Sequence, residues 1–388
     1  MSESGKPELP RYFDRDTGQH LHIYLGWHFA QVNGIEVELE GVPLLKNEIT
    51  GEVVFTFKTA AMVNYFVGEA KKQGNPGIRL SPKPRESKRY GYCEKVDFIY
   101  SDIDYEHIPG LVRPWDEGFL TPVFFKSSVL NKYTQNPEYR LDLFSESYGN
   151  IESTEWIIAF GINRNSLIFM WLGDINSLPI QEQYYLRSEN VDSDHEIHSE
   201  FYDAQIGCIP SEPSPQKQLL KARSGLDGLV KSQHNFHLYQ LHGEVDKVIE
   251  HLHRPVFWED RHVAPVVEAL NKILVESLNI SELKNRIKRK DEKANIKSLG
   301  SLKVLGVWLE NYTRLGNIYE IMTPFYVLYD YRIVCAHLAS EGSRLEKIKT
   351  VNERLGLDQN ESNNETIYDA LIGKLLSSID AIANEIKS

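Results

Sequence analysis

An arginine and a histidine lie close together in an otherwise apolar stretch near the carboxyl end of this 388-residue chain. Arg332 precedes His337 within the run from Tyr326 to Leu338. A guanidinium in an apolar helix face is costly unless it is paired or lines a cleft. A histidine can take the proton of a ribose 2′-hydroxyl or protonate a leaving 5′-oxygen, while a guanidinium neutralises charge on the phosphoryl oxygens. The pair therefore predicts metal-independent cleavage of RNA, and it excludes DNA as a substrate because DNA lacks the 2′-hydroxyl.

The motif and its surroundings resemble the Arg-x4-6-His signature of the HEPN superfamily (higher eukaryotes and prokaryotes nucleotide-binding). This helical-bundle fold includes many metal-independent ribonucleases of prokaryotic defence and toxin systems, such as antiviral abortive infection. The resemblance covers residues 260–388, where Asp330-Tyr331-Arg332 precedes Ala336-His337-Leu338. It implies that Arg332 and His337 are the catalytic pair, that no cofactor is needed, and that the two pairs of a homodimer meet in a shared cleft.

Two other interpretations of Arg332 stay open. Ile333 follows the arginine, where active members of the superfamily often carry Asn, Asp or His, and this favours a non-catalytic HEPN-like binding or dimerisation protein. Alternatively, the helical domain is unrelated and Arg332 simply pairs with Asp330 or another acid. Arg15 and His20 also fit the spacing, but Thr17-Gly18 between them predicts a turn and no helical stripe surrounds them.

A basic segment precedes this motif in a chain whose formal net charge is -12. The negative charge disfavours a surface wholly dedicated to nucleic acid. From Ser281 to Lys303, eight basic and three acidic residues give a local balance of 8 - 3 = +5. This segment predicts either a local RNA-binding patch or a solvated helix face. The residues expected to contact RNA are Lys284, Arg286, Lys288, Arg289 and Lys290.

Two clusters in the first half could serve a metal-dependent enzyme, although we predict no metal site. His195 and His198 lie among acidic residues, and imidazole and carboxylate together suit zinc, iron or manganese. The polar residues before them favour an exposed loop leading to a helix instead. Asp102 and Asp104 alternate as strand neighbours would, which is typical of a polar strand edge and less often of a carboxylate pair.

The pattern of elements predicts the α+β fold class, with a β-rich N-terminal domain followed by an α-helical bundle. Residues 21–32 and 35–39 flank Asn33-Gly34 and predict a hairpin, as do 156–162 and 166–172 around a short polar turn. A helix is expected at 60–72 and an exposed loop at 75–88. The predicted domains are a β-rich α+β domain at 1–207 that senses or binds an unknown trigger ligand or protein, a linker with a connecting helix at 208–260, and a HEPN-like bundle at 261–388.

Within the bundle, apolar residues recur at helical spacing. Pro265 and Asn279 frame the first predicted helix, and Thr323-Pro324 supply a cap and a first-turn proline for another. The predicted helices are 264–279, the basic segment, a helix containing Leu305, Trp308 and Tyr312 that ends at Gly316, 324–339, and 365–386.

Composition predicts a cytoplasmic protein with no membrane span. No run approaches the roughly eighteen apolar residues that a spanning helix needs, and residues 1–11 lack the apolar segment of a secretory signal. Three cysteines lie far apart without the spacing of a disulfide framework or a structural zinc site.

Overall fold

The structure is a computed structural model that describes residues 19, 21–81, 87–108, 116–250, 252–292, 295–336 and 341–387. The chain forms two compact units, residues 1–212 and 213–388. The first contains the sheets and the second is helical, which confirms the α+β fold class. The division falls in the proline-rich stretch where the sequence predicted a boundary. It differs from the predicted three-part division, since residues 213–260 belong to the helical unit.

The first sheet of the N-terminal unit is built around a long hairpin. Strands β1 (Leu21–Val32) and β2 (Ile35–Asn47) pair antiparallel. Asn33 and Gly34 connect them with φ of 51° and 80°, the left-handed conformations that a tight hairpin turn requires. The predicted hairpin is confirmed. Strand β3 (Val53–Phe55) pairs antiparallel with β2, and β4 (Gly77–Leu80) pairs parallel with it.

Helix α1 (Phe57–Gln73) connects β3 to β4 and covers this sheet. The Thr56 side chain accepts the Thr59 N–H at its start, and Gly74 ends it at φ 72°. This helix confirms the prediction at 60–72. The predicted exposed loop at 75–88 is wrong at β4, because the backbone there pairs with β2, a partner about forty residues away that local composition does not reveal.

The second sheet is antiparallel and six-stranded in the described residues, with the order β10-β5-β9-β8-β7-β6. Its strands are β5 (Pro122–Phe125), β6 (Arg140–Leu143), β7 (Tyr148–Glu152), β8 (Ile157–Ile162), β9 (Ile168–Trp171) and β10 (Asn190–Val191). The antiparallel pair β8 and β9 confirms the second predicted hairpin. Buried aromatic rings fill its core, including Phe124, Phe160 and Phe169. The other helices of this unit are α2 (Asp102–Glu106), α3 (Asn131–Gln135), α4 (Leu172–Asn176), α5 (Ile180–Glu189) and α6 (Glu200–Gln205).

The second unit is a bundle with one continuous apolar core. Its α-helices in the described residues are α7 (Pro215–His234), α8 (His242–Glu250), α9 (Asp260–Asn271), α10 (Ile280–Lys290), α11 (Ser301–Tyr312), α12 (Ile318–Ala336), α13 (Glu341–Leu355) and α14 (Asn364–Lys387). A π-helical turn, Lys272–Glu276, continues α9. The predictions of α10, α11 and α14 are confirmed.

Two helices begin earlier than the sequence predicted. Helix α12 begins at Ile318, so Pro324 lies inside it. Thr323 does not cap a helix there; its hydroxyl donates to the Tyr319 carbonyl one turn back, 2.8 Å away. Helix α9 likewise begins at Asp260 and contains Pro265. Tertiary packing of the flanking apolar residues overrides the local start signals in both cases. Among the described helices, none combines the length and apolar character needed to cross a membrane.

Candidate functional site

Arg332 lies on the last described turn of α12, at a partly exposed position with 22% of its side chain accessible. Its neighbours Tyr331 and Val334 are buried and anchor the helix in the bundle core. The guanidinium lies 5.1 Å from the ring centroid of Tyr329, one turn earlier, which itself is 43% exposed. The helix therefore holds this charge at the edge of the core, where solvent and a ligand can reach it.

A single described carboxylate pairs with this guanidinium. Arg332 Nη1 donates to Glu276 Oε1 at 3.3 Å. Arg332 Nε is buried, and no hydrogen-bond acceptor reaches it within the part of the chain that the structure describes. Asp330, the nearer acid in sequence, pairs instead with Arg354 at 2.8 Å. The predicted alternative in which Arg332 pairs with Asp330 is therefore wrong. Arg332 pairs with another acid, Glu276, which the same alternative allowed.

The π-helical turn Lys272–Glu276 explains how Glu276 reaches this position. Asn271 Nδ2 donates to Glu276 Oε1 at 2.8 Å. Side chains five residues apart on an α-helix point about 140° away from each other, but the wider π turn brings them to one face. Asn271 is 1% exposed, and among the described residues no donor reaches its Oδ1. Asn271 and Arg332 thus converge on the same carboxylate oxygen, next to further polar atoms without described partners.

His337 lies outside the described residues, directly after the last described residue of α12. Arg15 and His20, the second match to the spacing, also lie outside the described residues.

Cys335 shares this turn of α12 but is a poor nucleophile. Burial raises the pKa of its thiol to about 12. A thiol with this pKa is almost entirely protonated near neutral pH, whereas a nucleophilic cysteine needs its thiolate. Arg332 and His337 remain the groups of this segment with suitable chemistry.

The predicted RNA-binding residues of α10 divide into two groups. Lys288 and Arg289 are exposed. Arg286 is partly buried, donates to the Asn235 carbonyl at 3.3 Å and lies over the Phe236 ring, so it caps the C-terminus of α7. Lys290 donates to the Asn311 carbonyl and Lys284 to the Lys297 carbonyl. The three residues that bind carbonyls therefore have structural contacts that the charge pattern did not reveal.

In the N-terminal unit, His195 and His198 do not share a helix face. His195 is in a left-handed conformation, φ 63°, and its Nδ1 lies 2.6 Å from Asp104 Oδ1. His198 donates its backbone N–H to the Glu196 carboxylate. No metal-ligand group forms around these histidines within the described ranges. The loop interpretation of this segment fits the structure better than a shared zinc face.

Asp102 and Asp104 are not on a strand edge, because they lie in α2 and are buried. Asp102 accepts the Lys88 backbone N–H at 3.0 Å. Asp104 accepts from Ser193 Oγ as well as from His195. Burial lowers the pKa of His195, but the hydrogen bond and charge of Asp104 outweigh it, so the pKa of this imidazole is raised overall. The alternation along the sequence did not indicate this pair, since its members are about ninety residues apart.

A second convergence that sequence analysis missed lies in the helical unit, where Asp227, His237 and His242 bring their ligand atoms together. Only the spacing of His237 and His242 could have indicated this cluster from the sequence, because Asp227 comes from the preceding helix.

Comparison of the chain with protein-family models, with curated proteins and with solved structures finds no match. The resemblance to the HEPN superfamily therefore rests on the motif from Asp330 to Leu338 and stays a prediction.

Proposed function

We propose that the helical unit is a metal-independent endoribonuclease of the prokaryotic defence or toxin type, with Arg332 and His337 as its catalytic pair. The proposal rests on the surroundings of Arg332. An arginine at the partly exposed edge of an apolar bundle has one described carboxylate partner, and its buried Nε has no acceptor among the described residues. A guanidinium has five N–H donors and Glu276 accepts from one of them, so this partly exposed side chain retains donors for a second anion, and a phosphodiester is the anion that its planar fork suits.

In this mechanism the ribose 2′-oxygen attacks the phosphorus atom and the bond from phosphorus to the 5′-oxygen breaks. His337 accepts the 2′-hydroxyl proton, and a second imidazole or the same one protonates the leaving 5′-oxygen. Arg332 stabilises the charge that grows on the phosphoryl oxygens. The products are a 2′,3′-cyclic phosphate and a 5′-hydroxyl end. In a homodimer, a second copy of the chain supplies the second imidazole.

Glu276 has a positioning role in this proposal. Its carboxylate fixes the guanidinium from one side, and the Asn271 amide in turn holds that carboxylate. The Tyr329 ring lies against another side of the guanidinium and restricts its movement. A preorganised arginine loses less conformational entropy when it binds a phosphate.

The test is cleavage of single-stranded RNA in the presence of a chelator by the full-length protein. We expect Arg332→Ala to slow cleavage about 100- to 1,000-fold, as the loss of one oxyanion-stabilising donor does, and His337→Ala to slow it about 100-fold or more. Arg354→Ala is the matched control, because this arginine is also partly exposed and pairs with an acid of α12. It should cleave like the unaltered protein.

Product chemistry distinguishes this reaction from hydrolysis by a metal-dependent nuclease, and the variants distinguish it from contamination. The proposed mechanism requires 2′,3′-cyclic phosphate ends and no cleavage of an oligonucleotide with a 2′-deoxyribose at the scissile position. Cleavage that persists in both Arg332→Ala and His337→Ala would exclude this site.

A second candidate function is a non-catalytic HEPN-like protein that binds or dimerises through the bundle. The Arg332–Glu276 pair favours it, because this contact satisfies part of the guanidinium's charge without any substrate. Ile333 in place of a polar residue favours it as well. Absence of RNA cleavage by the unaltered protein, combined with a dimer in light scattering, would support this alternative.

The N-terminal unit is proposed as the part that recognises the trigger, a ligand or protein. Within this unit a cavity of about 830 Å³ lies among α1, α2 and the first sheet. It is lined by apolar side chains such as Met62 and Phe66 and by the charged groups Lys58, Arg79 and Glu106. A largely apolar cavity with a few charged groups is typical of a small-molecule site. The proposal places the protein in the cytoplasm, where RNA is available and where free cysteines such as Cys93, Cys208 and Cys335 stay reduced.

A further inference from the structure

Three side chains of the helical unit converge at the turn between α7 and α8. Asp227 comes from α7, His237 from the segment that follows, and His242 is the first residue of α8. Asp227 Oδ2 lies 2.8 Å from His237 Nδ1 and 3.9 Å from His242 Nε2. The three ligand atoms lie within 4.8 Å of one another, and within the described ranges no other group of histidine, cysteine and acidic side chains does so.

The backbone holds this arrangement in place. Residues 236–240 run as a short extended segment beside residues 277–279, with hydrogen bonds from Gln240 N to the Ser277 carbonyl and from Asn279 N to the Leu238 carbonyl. Phe236 and Leu238 point into the core. Tyr239 is buried as well, whereas the half-exposed His237 side chain lies against Asp227.

Asp227 is oriented by a contact of its own. Its Oδ1 accepts the Tyr239 backbone N–H at 3.0 Å, so its Oδ2 faces the two imidazoles. Its side chain is 10% exposed, whereas those of His237 and His242 are 47% and 49% exposed. In metal sites, a carboxylate ligand is typically held by a hydrogen bond to its other oxygen.

We propose that Asp227, His237 and His242 bind a divalent transition-metal ion, with zinc as the best match. Two imidazoles and one carboxylate are the donor set of open zinc sites. Ligand bonds of about 2.0–2.2 Å in a tetrahedral site need donors about 3.4 Å apart, and the observed separations of 2.8 and 3.9 Å lie on either side of that value. The ion takes the place of the proton between Asp227 and His237.

The exposure of the two imidazoles leaves a fourth position open to water or to an external ligand. The ion would link α7 directly to the start of α8. The site does not take part in the proposed RNA cleavage, so the inference stands independently of that function.

The test uses full-length protein stripped of metal and titrated with zinc by calorimetry. We expect one strong equivalent per chain, and at least about tenfold weaker binding in His237→Ala and in His242→Ala, since even outer-shell changes cost about 10–100-fold. His262→Ala is the control, because this histidine lies in the same unit outside the cluster, and it should bind zinc like the unaltered protein. Zinc should raise the thermal unfolding midpoint of the unaltered protein but not of His237→Ala.

Cobalt(II) provides an independent readout on the unaltered protein, because its visible absorption bands report ligand number and geometry without any substitution. The proposal is overturned if zinc binds the unaltered protein no more tightly than the His237→Ala or His242→Ala variant. It is also overturned if cobalt gives only the spectrum of the hydrated ion. Both imidazoles are half exposed, so circular dichroism of the two variants should match that of the unaltered protein.

Discussion

Asp104 and His195 show how single residues in this chain depend on partners that are remote in sequence. Their side chains are 1% and 22% exposed, and the bond between them is accompanied by a second one from Ser193 to the other Asp104 oxygen. The left-handed backbone of His195 is uncommon for a residue with a side chain. This local strain is compensated by the ion pair, so the pair stabilises a turn that the sequence alone would disfavour.

The raised pKa of His195 makes this stabilisation depend on pH. A folded-state pKa above the unfolded value stabilises the protein in acid, and the contribution is lost as the pH rises through the folded-state pKa. We predict that His195→Asn, which tolerates the left-handed backbone, destabilises the protein by about 1.5–3 kcal/mol in acid, the usual contribution of a charged hydrogen bond. The loss should be smaller in alkali. Urea unfolding midpoints at about pH 5.5 and about pH 9 measure it.

Ser193→Ala is the control for this prediction, since it removes a hydroxyl that donates to Asp104 and accepts the His195 backbone N–H, but it removes no group that titrates between these pH values. Its destabilisation should be the same at both pH values. An equal loss for His195→Asn in acid and alkali would contradict the role of His195 as a protonated partner.

At the scale of elements, the basic residues of α10 are of two kinds. Some donate hydrogen bonds to backbone carbonyls of other elements, and others make no such contact among the described residues. Arg286 and Lys290 donate to carbonyl oxygens at the ends of α7 and α11, whereas Lys288 and Arg289 make no such contact among the described residues and are exposed. Cations that are not already bound to the protein can contact RNA phosphates and release their counterions. The RNA-binding proposal therefore depends on the last turn of α10 rather than on the whole basic segment.

We predict that a double variant, Lys288→Ala with Arg289→Ala, weakens single-stranded RNA binding more at low salt than at high salt. Each phosphate contact contributes about 0.7 to the slope of log affinity against log salt concentration, so the slope should fall by roughly 1.4. Fluorescence anisotropy at several salt concentrations measures it. Lys71→Ala with Lys72→Ala, which removes two exposed charges from α1, is the matched control. An unchanged slope in the α10 variant would remove this helix from the interface.

At the scale of the whole molecule, the described core of the helical unit is built entirely from its own residues. The cluster runs from Leu219 on α7 to Ile386 on α14 and includes fully buried Trp308, Tyr331 and Tyr368. The clusters around the first sheet likewise contain residues of the N-terminal unit alone. We therefore expect the helical unit to fold by itself.

We predict that residues 213–388 expressed alone fold cooperatively, with a helical circular dichroism spectrum and a single thermal transition. A fragment of residues 261–388, which matches the predicted bundle but lacks α7, should be less stable, because it exposes the face of α14 that packs on α7. Loss of a buried leucine alone costs about 2–5 kcal/mol, and α7 contributes two fully buried ones, Leu219 and Leu226. Equal stability of the two fragments would contradict this.

The sequence by itself determined what depends on local spacing. Alternation and the Asn33-Gly34 turn identified the first hairpin, and apolar residues at helical spacing identified α11 and α14. Strand and helix periodicity are properties of neighbouring residues, so they can be recognised without knowledge of the rest of the fold. The same reasoning selected Arg332 as a charge that needs a partner.

Only the tertiary structure decided that the partner of Arg332 is Glu276. Glu276 meets Arg332 because a π-helical turn rotates it out of the regular helix and α9 packs on α12, and no short-range pattern encodes either event. Asp104 with His195, and Asp227 with its two histidines, are likewise contacts between separate elements. A polar group is buried without a large cost only where packing places a complementary group beside it. How distant segments pack is set by the whole core rather than by the residues next to each charge in the sequence.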